Sequence, residues 1–128
     1  MKNEIAEIDS VMNLSEAMGN MDGDAELLQE IVGIFMQTGA EQLATLDNAI
    51  AAGDVREVAL RSHGMKGGAS NFCARKFVAA ALKLELLAKT GSLDGAPELL
   101  ATMKASYAEL EELTVLINWD EVAQNWSR

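Results

Sequence analysis

The chain has 128 residues, 49% hydrophobic and 5% aromatic, with ten basic against twenty acidic side chains and a net charge of −10. That length and apolar content suit one domain over residues 1–128 with one core, and the acidity argues against nucleic acid or an anionic membrane as partner. No apolar run approaches the roughly 20 residues of a bilayer-spanning helix, Met1-Lys2-Asn3-Glu4 opens no signal-peptide core, and one Cys73 with one His63 makes neither an internal disulfide nor a zinc site; a cytoplasmic monomer is expected.

An Ala, Leu, Met and Glu vocabulary with a single proline favours helix over strand. The expected fold class is all-α. Residues 4–18 carry Ile5, Ile8 and Met12 at helical spacing and stop at Gly19-Asn20, which predicts a short covering helix. Asp24 caps a second helix through Leu27, Leu28, Ile31, Ile34 and Phe35. Thr38-Gly39 predicts a bend, after which residues 41–52 continue with Leu43, Leu46, Ala49 and Ile50.

Gly53-Asp54 combines a left-handed helix stop with an aspartate that caps the next helix, expected to reach about Phe72. Residues 75–89 form another amphipathic helix through Phe77, Ala80, Leu84 and Leu87, ended by Thr90-Gly91-Ser92. Asp94-Gly95-Ala96-Pro97 opens the next, with proline tolerated in its first turn, and Leu99, Leu100, Met103, Tyr107, Leu110 and Leu113 carry it to about Ile117. Residues 118–128, holding Trp119 and Trp126, read as a C-terminal extension that either packs back on the bundle, the favoured arrangement, or forms a partner contact. Short connections between these helices predict an antiparallel four-helix bundle from the four later helices, with the two earlier ones covering one end.

The chemistry concentrates in the stretch from Arg61 to Phe72, which holds the only histidine. At roughly 100° per helical residue, Val55, Val58, Ser62, Met65, Ala69 and Phe72 share one side, and Arg56, His63, Lys66, Gly67 and Ser70 the other. The His63 imidazole therefore faces water. Gly67 and Gly68 each cost a helix about 1 kcal/mol relative to alanine. Gly67 leaves bare backbone beside the imidazole where another protein can approach, and Gly68 suits close packing at the core edge. From Arg56 to Lys83 six basic residues face the single acid Glu57, a local +5 in an acidic chain. Such an island suits one phosphoryl group or an acidic pocket on a partner.

These residues resemble the histidine-containing phosphotransfer (HPt) family, whose motif is a bundle-helix histidine followed by lysine at the third position and glycine at the fourth, here His63, Lys66 and Gly67. Asp24 to Leu28, Ala51-Ala52-Gly53-Asp54 and Leu84-Glu85 are also similar to the family, so the resemblance covers most of the chain. Met65 stands where leucine is commoner, and Cys73 departs from the small or glycine-containing context usual near it. The resemblance implies a phosphoryl carrier of a multistep phosphorelay, without turnover of its own, with phosphate on Nε2 of His63 and Lys66 meeting the phosphoryl oxygens. It implies response-regulator receiver domains and a hybrid histidine kinase as partners, Mg²⁺ held by the receiver, and no cofactor or metal on this chain. Arg56, Ala59, Leu60, Gly67 and Ser70 would form the docking patch, with Leu60 as its exposed apolar member. An imidazole in water is a competent nucleophile near neutral pH without a separate base. No second acid or base can be tied to His63 from spacing, and the carboxylates are expected on solvent faces.

Two other readings compete. An acidic helical adaptor that binds a partner without chemistry accounts for the charge and the tryptophan-containing tail. The phosphoacceptor domain of a chemotaxis-type kinase would come with an ATP module, and no GxxxxGK[ST] loop occurs.

Overall fold

The computed structural model describes residues 12–125, which form six helices and, among the described residues, no strand. They are α1 (Leu14–Asn20), α2 (Ala25–Ala51), α3 (Val55–Ser70), α4 (Arg75–Lys89), α5 (Ala96–Thr114) and α6 (Trp119–Asn125). Side-chain caps start α1, α2 and α3, and α6 as described below, where free backbone N–H groups need an acceptor: Asn13 Oδ1 accepts from the Glu16 amide, Asp24 Oδ1 from Leu27 and Asp54 Oδ1 from Glu57, at 3.0, 3.0 and 3.1 Å. Gly95, at φ +90°, enters α5 instead through a left-handed residue with Pro97 behind it.

Helix α2 packs against α3 and α5, and α4 against the same two. With short turns between them, α2 to α5 close a four-membered antiparallel ring in chain order. Its core is continuous across the ring: Leu28, Val32, Leu43 and Leu46 from α2, Val58, Met65 and Ala69 from α3, Phe77, Ala81 and Leu84 from α4, and Leu100, Met103 and Leu110 from α5. Phe35 stands edge-on to Phe72 and Phe77, each at 5.2 Å between ring centres, the arrangement that sets a positive ring edge on a negative face.

Three expectations for this half of the molecule change. The helix expected over residues 4–18 is not continuous, because Asn13 is extended (φ −88°, ψ 96°) and caps a new helix at Leu14; its portion before Met12 lies outside the described residues. No bend occurs at Thr38-Gly39, since α2 runs unbroken for 27 residues. Thr38 returns its hydroxyl to the Ile34 carbonyl at 3.0 Å, a bond made within the helix. Gly39 is buried beneath Tyr107, where an added Cβ would stand 2.3 Å from the ring. The glycine marks a close approach between α2 and α5, and the Tyr107 hydroxyl, donating to the Met36 carbonyl at 2.6 Å, locks it. The segment expected as a second end-covering helix is therefore the first half of the longest bundle helix.

The expected covering helix corresponds to α1, and the expected C-terminal extension packs back on the bundle as the helix α6. The Asn13 amide donates to the Cys73 carbonyl at 3.2 Å, and Arg75 pairs with Glu16, so α1 is fastened over the α3–α4 turn. Helix α6 lies against α2, with Ile117 buried and Trp119 and Val122 packed on the core. Its signal was the pair Asn118 and Glu121, a side-chain cap three residues ahead of a glutamate; Asn118 Oδ1 accepts from the Glu121 amide at 3.1 Å. Trp126 lies outside the described residues. No helix among the described residues is long and apolar enough to cross a membrane.

Candidate functional site

Helix α3 divides as its periodicity predicts. Val58, Ser62, Met65 and Ala69 are buried, and Arg56, His63, Gly67 and Ser70 are exposed. The helix ends at Ser70, short of Phe72, because Asn71 to Cys73 turn sharply and Cys73 takes a left-handed φ of 59°. The buried Ser62 satisfies its hydroxyl within the helix, on the Val58 carbonyl at 2.7 Å. The glycines separate by environment. A Cβ at Gly67 would meet nothing within 4 Å, whereas one at Gly68 would touch Phe35 at 3.4 Å, so the first is open surface and the second is packing.

His63 stands out from α3 with 65% of its side chain exposed. Its Nδ1 lies 2.9 Å from Oε2 of Glu85, a residue of α4. Lys66 Nζ donates to the other oxygen of the same carboxylate at 2.7 Å, and Lys89 Nζ lies 2.9 Å from Oε2. Glu85 is itself only 2% exposed. A buried carboxylate is costly unless donors satisfy it, and here the Lys66 and Lys89 ammonium groups and the His63 ring N–H supply them. Their hydrogen bonds, that of Lys66 first, outweigh desolvation and hold the Glu85 carboxyl well below the usual range, at about 2.

An ionised carboxylate can only accept. Nδ1 of His63 must therefore carry the proton, and in the neutral ring the lone pair sits on Nε2, which has no hydrogen-bond partner among the described residues. The geometry yields a nucleophilic ring nitrogen facing outward with its tautomer set from behind. This overturns two expectations: a second titratable group is tied to His63, and it is a carboxylate that does not lie on a solvent face. Glu85 had a legible signal, since it falls inside the apolar stripe of Ala81, Leu84 and Ala88 on α4, where an unpaired carboxylate would not be tolerated.

The remaining predicted residues gather around the ring unevenly. Arg56, Ala59 and Leu60 line a shallow depression with His63, Glu85 and Lys89, and Leu60 is 65% exposed. Gly67 and Ser70 continue the exposed face one and two turns beyond the histidine, with the Ser70 hydroxyl donating to the Lys66 carbonyl at 2.8 Å. Leu82 and Leu86 of α4 are also exposed apolar side chains.

The basic island does not persist as a positive patch. Arg61 pairs with Glu57, Lys66 with Glu85, Arg75 with Glu16 and Lys76 with Glu109, three of these acids coming from outside the basic window. Cys73 is buried, and burial, as the largest effect, pushes its thiol up and keeps it protonated. Among the described residues no cluster of His, Cys, Asp or Glu is placed to hold a metal ion.

Comparisons with known proteins agree with this architecture. No curated protein matches the chain. The crystal structure of histidine-containing phosphotransfer protein B from Pseudomonas aeruginosa PAO1 is similar, with a TM-score of 0.69 and 25% sequence identity, over 89% of this chain and 92% of that one. The family model described as Hpt domain matches residues 30–113, from the second turn of α2 through nearly all of α5, and the chain thus belongs to the Hpt domain family of phosphotransfer carriers.

Proposed function

We propose that His63 is the phosphoacceptor of this carrier, taking a phosphoryl group on Nε2 from a receiver-domain aspartate and passing it to another receiver. The observation that carries the reading is the exposed imidazole whose Nδ1 proton is held by the buried Glu85. The Nε2 lone pair forms the N–P bond as the P–O bond to the receiver carboxylate breaks. The proton stays on Nδ1 throughout, so the loaded ring is cationic and neutral imidazole leaves in the onward step. Glu85 acts as a positioning residue that favours this cationic ring and orients it.

Phosphoryl transfer depends mainly on positioning and on charge stabilisation of the transferred oxygens. Lys66, one turn from His63 and 23% exposed, supplies positive charge beside the ring. The receiver supplies the aspartate and its Mg²⁺, so this chain needs no cofactor, and a hybrid histidine kinase is the upstream source of phosphate. Leu60, Ala59, Arg56, Gly67 and Ser70 form the surface on which a receiver seats. The protein works as a cytoplasmic monomer and turns nothing over alone.

Incubation with a radiolabelled phosphorylated receiver tests this. Wild type is expected to gain acid-labile label, and His63→Gln to gain none while its helical circular dichroism and thermal unfolding stay unchanged. Acid-labile label retained on His63→Gln would overturn the assignment, and an adaptor without chemistry would leave both proteins unlabelled yet bound. Lys66→Ala is expected to slow transfer in stopped-flow measurements at least tenfold, as loss of a charge-assisted contact of about 1.4 kcal/mol implies, with a smaller effect on receiver affinity.

A further inference from the structure

We infer that Lys89 is a second phosphoryl-binding cation of this site, paired with Glu85 while His63 is bare and transferred to the phosphoryl oxygens when His63 is loaded. The inference rests on the proposed role of His63. Lys89 Nζ and His63 Nδ1 each lie 2.9 Å from the same oxygen, Glu85 Oε2. Lys89 therefore sits at the Nδ1 side of the imidazole, and its flexible stem has to swing round the ring to meet oxygens carried on Nε2. Lys66 occupies the other oxygen, so Glu85 has a cation on each side.

The two lysines differ in freedom. Lys66 is 23% exposed, and Lys89 is 60% exposed at the last turn of α4. Lys89 also lines the depression that holds His63 and Leu60, and Lys66 does not. A phosphoryl group adds roughly two negative charges at neutral pH, set beside a carboxylate that is already ionised. The smallest adjustment that answers this charge keeps Lys66 on the buried Oε1, leaves Nδ1–H on Oε2, and swings the exposed Lys89 stem outward onto the new oxygens. Glu85 keeps two donors in that arrangement. Lys89 moves as an ammonium and exchanges no proton; only the N–P and P–O bonds of the transfer itself form and break. Arg56 is a weaker candidate, since it lies two turns from His63 on its own helix.

The test measures the equilibrium of phosphoryl exchange between a phosphorylated receiver and this protein, together with affinity for the unphosphorylated receiver, in wild type, Lys89→Ala and Lys89→Arg. Loss of one partly exposed charge-assisted contact is expected to move the equilibrium about threefold or more toward the receiver in Lys89→Ala. Arginine is expected to restore most of that shift. Receiver affinity is expected to stay at the wild-type value in both, and thermal unfolding to stay there in Lys89→Arg, which keeps a cation on Glu85, while Lys89→Ala loses some stability with that ion pair. An unchanged equilibrium in Lys89→Ala would overturn the inference while leaving His63 as acceptor. An equal loss of receiver affinity would also overturn it by assigning Lys89 to docking. Failure of wild type to load at all would instead remove the underlying assignment of His63.

Discussion

One carboxylate organises the site at the level of single residues. Glu85 is buried yet ionised because three cationic or polar donors converge on its two oxygens, and the same bonds that stabilise it set the imidazole tautomer. Its folded carboxyl is held at about 2, below the ordinary 4.5, by Lys66 first and then Lys89, so it releases its proton more readily folded than unfolded. For a depressed carboxyl the stabilisation is complete above the unfolded value and is lost as pH falls toward the folded one. The stability difference between wild type and Glu85→Gln is therefore expected to shrink as pH falls between about 4.5 and 2. Urea titrations across that range check it; a difference that does not vary with pH would mean that the carboxylate charge is not what the site uses. Glu85→Gln is also expected to lower the loading rate, because a neutral amide supports the cationic ring less well.

At the level of helices, the two ends of the glycine argument can be measured against each other. Gly39 allows α2 to pass under Tyr107, and an added methyl would stand 2.3 Å from the ring. Gly39→Ala is expected to destabilise the protein by about 1–3 kcal/mol through overpacking. At Gly67 nothing lies within 4 Å, so Gly67→Ala is expected to stabilise α3 by up to about 1 kcal/mol on helix propensity alone. If the bare backbone there serves close approach of a receiver, the same variant loses transfer rate while gaining stability. Thermal unfolding and stopped-flow transfer on one pair of proteins separate these outcomes. A Gly39→Ala protein as stable as wild type would show that Tyr107 can withdraw and that the close contact is not required.

Over the whole molecule, charge is distributed by contacts between distant segments. The island of six basic residues looked like a positive face in sequence, and folding pairs four of them with carboxylates. What remains beside His63 is a depression with Leu60, 65% exposed, and Ala59 at its apolar part and both signs of charge, Asp54, Glu57, Arg56 and Lys89, around them. Receiver docking is accordingly expected to depend more on burial of Leu60 than on salt. Leu60→Ala should weaken receiver binding about tenfold, with unfolding free energy within about 0.5 kcal/mol of wild type, measured by titration calorimetry and denaturant unfolding. Binding that falls steeply with ionic strength and ignores Leu60 would point to a charge-driven interface instead.

Period and punctuation in the sequence were enough for the helical class, the antiparallel ring, the buried and exposed faces of α3 and the outward histidine, because each depends on residues within a few turns of one another. Gly53-Asp54 and Asp94 to Pro97 placed helix starts for the same local reason. The unbroken α2, the fastening of α1 over the α3–α4 turn, the neutralised basic island and the role of Glu85 were settled only by packing. Each joins residues far apart in the chain: Gly39 with Tyr107, Asn13 with Cys73, His63 with Glu85. A glycine in a helix reads locally as a break and a glutamate as a solvent residue. Only the neighbour that packs against the one, or donates to the other, reverses those assignments, since burial changes the free energy of a group by what surrounds it in space.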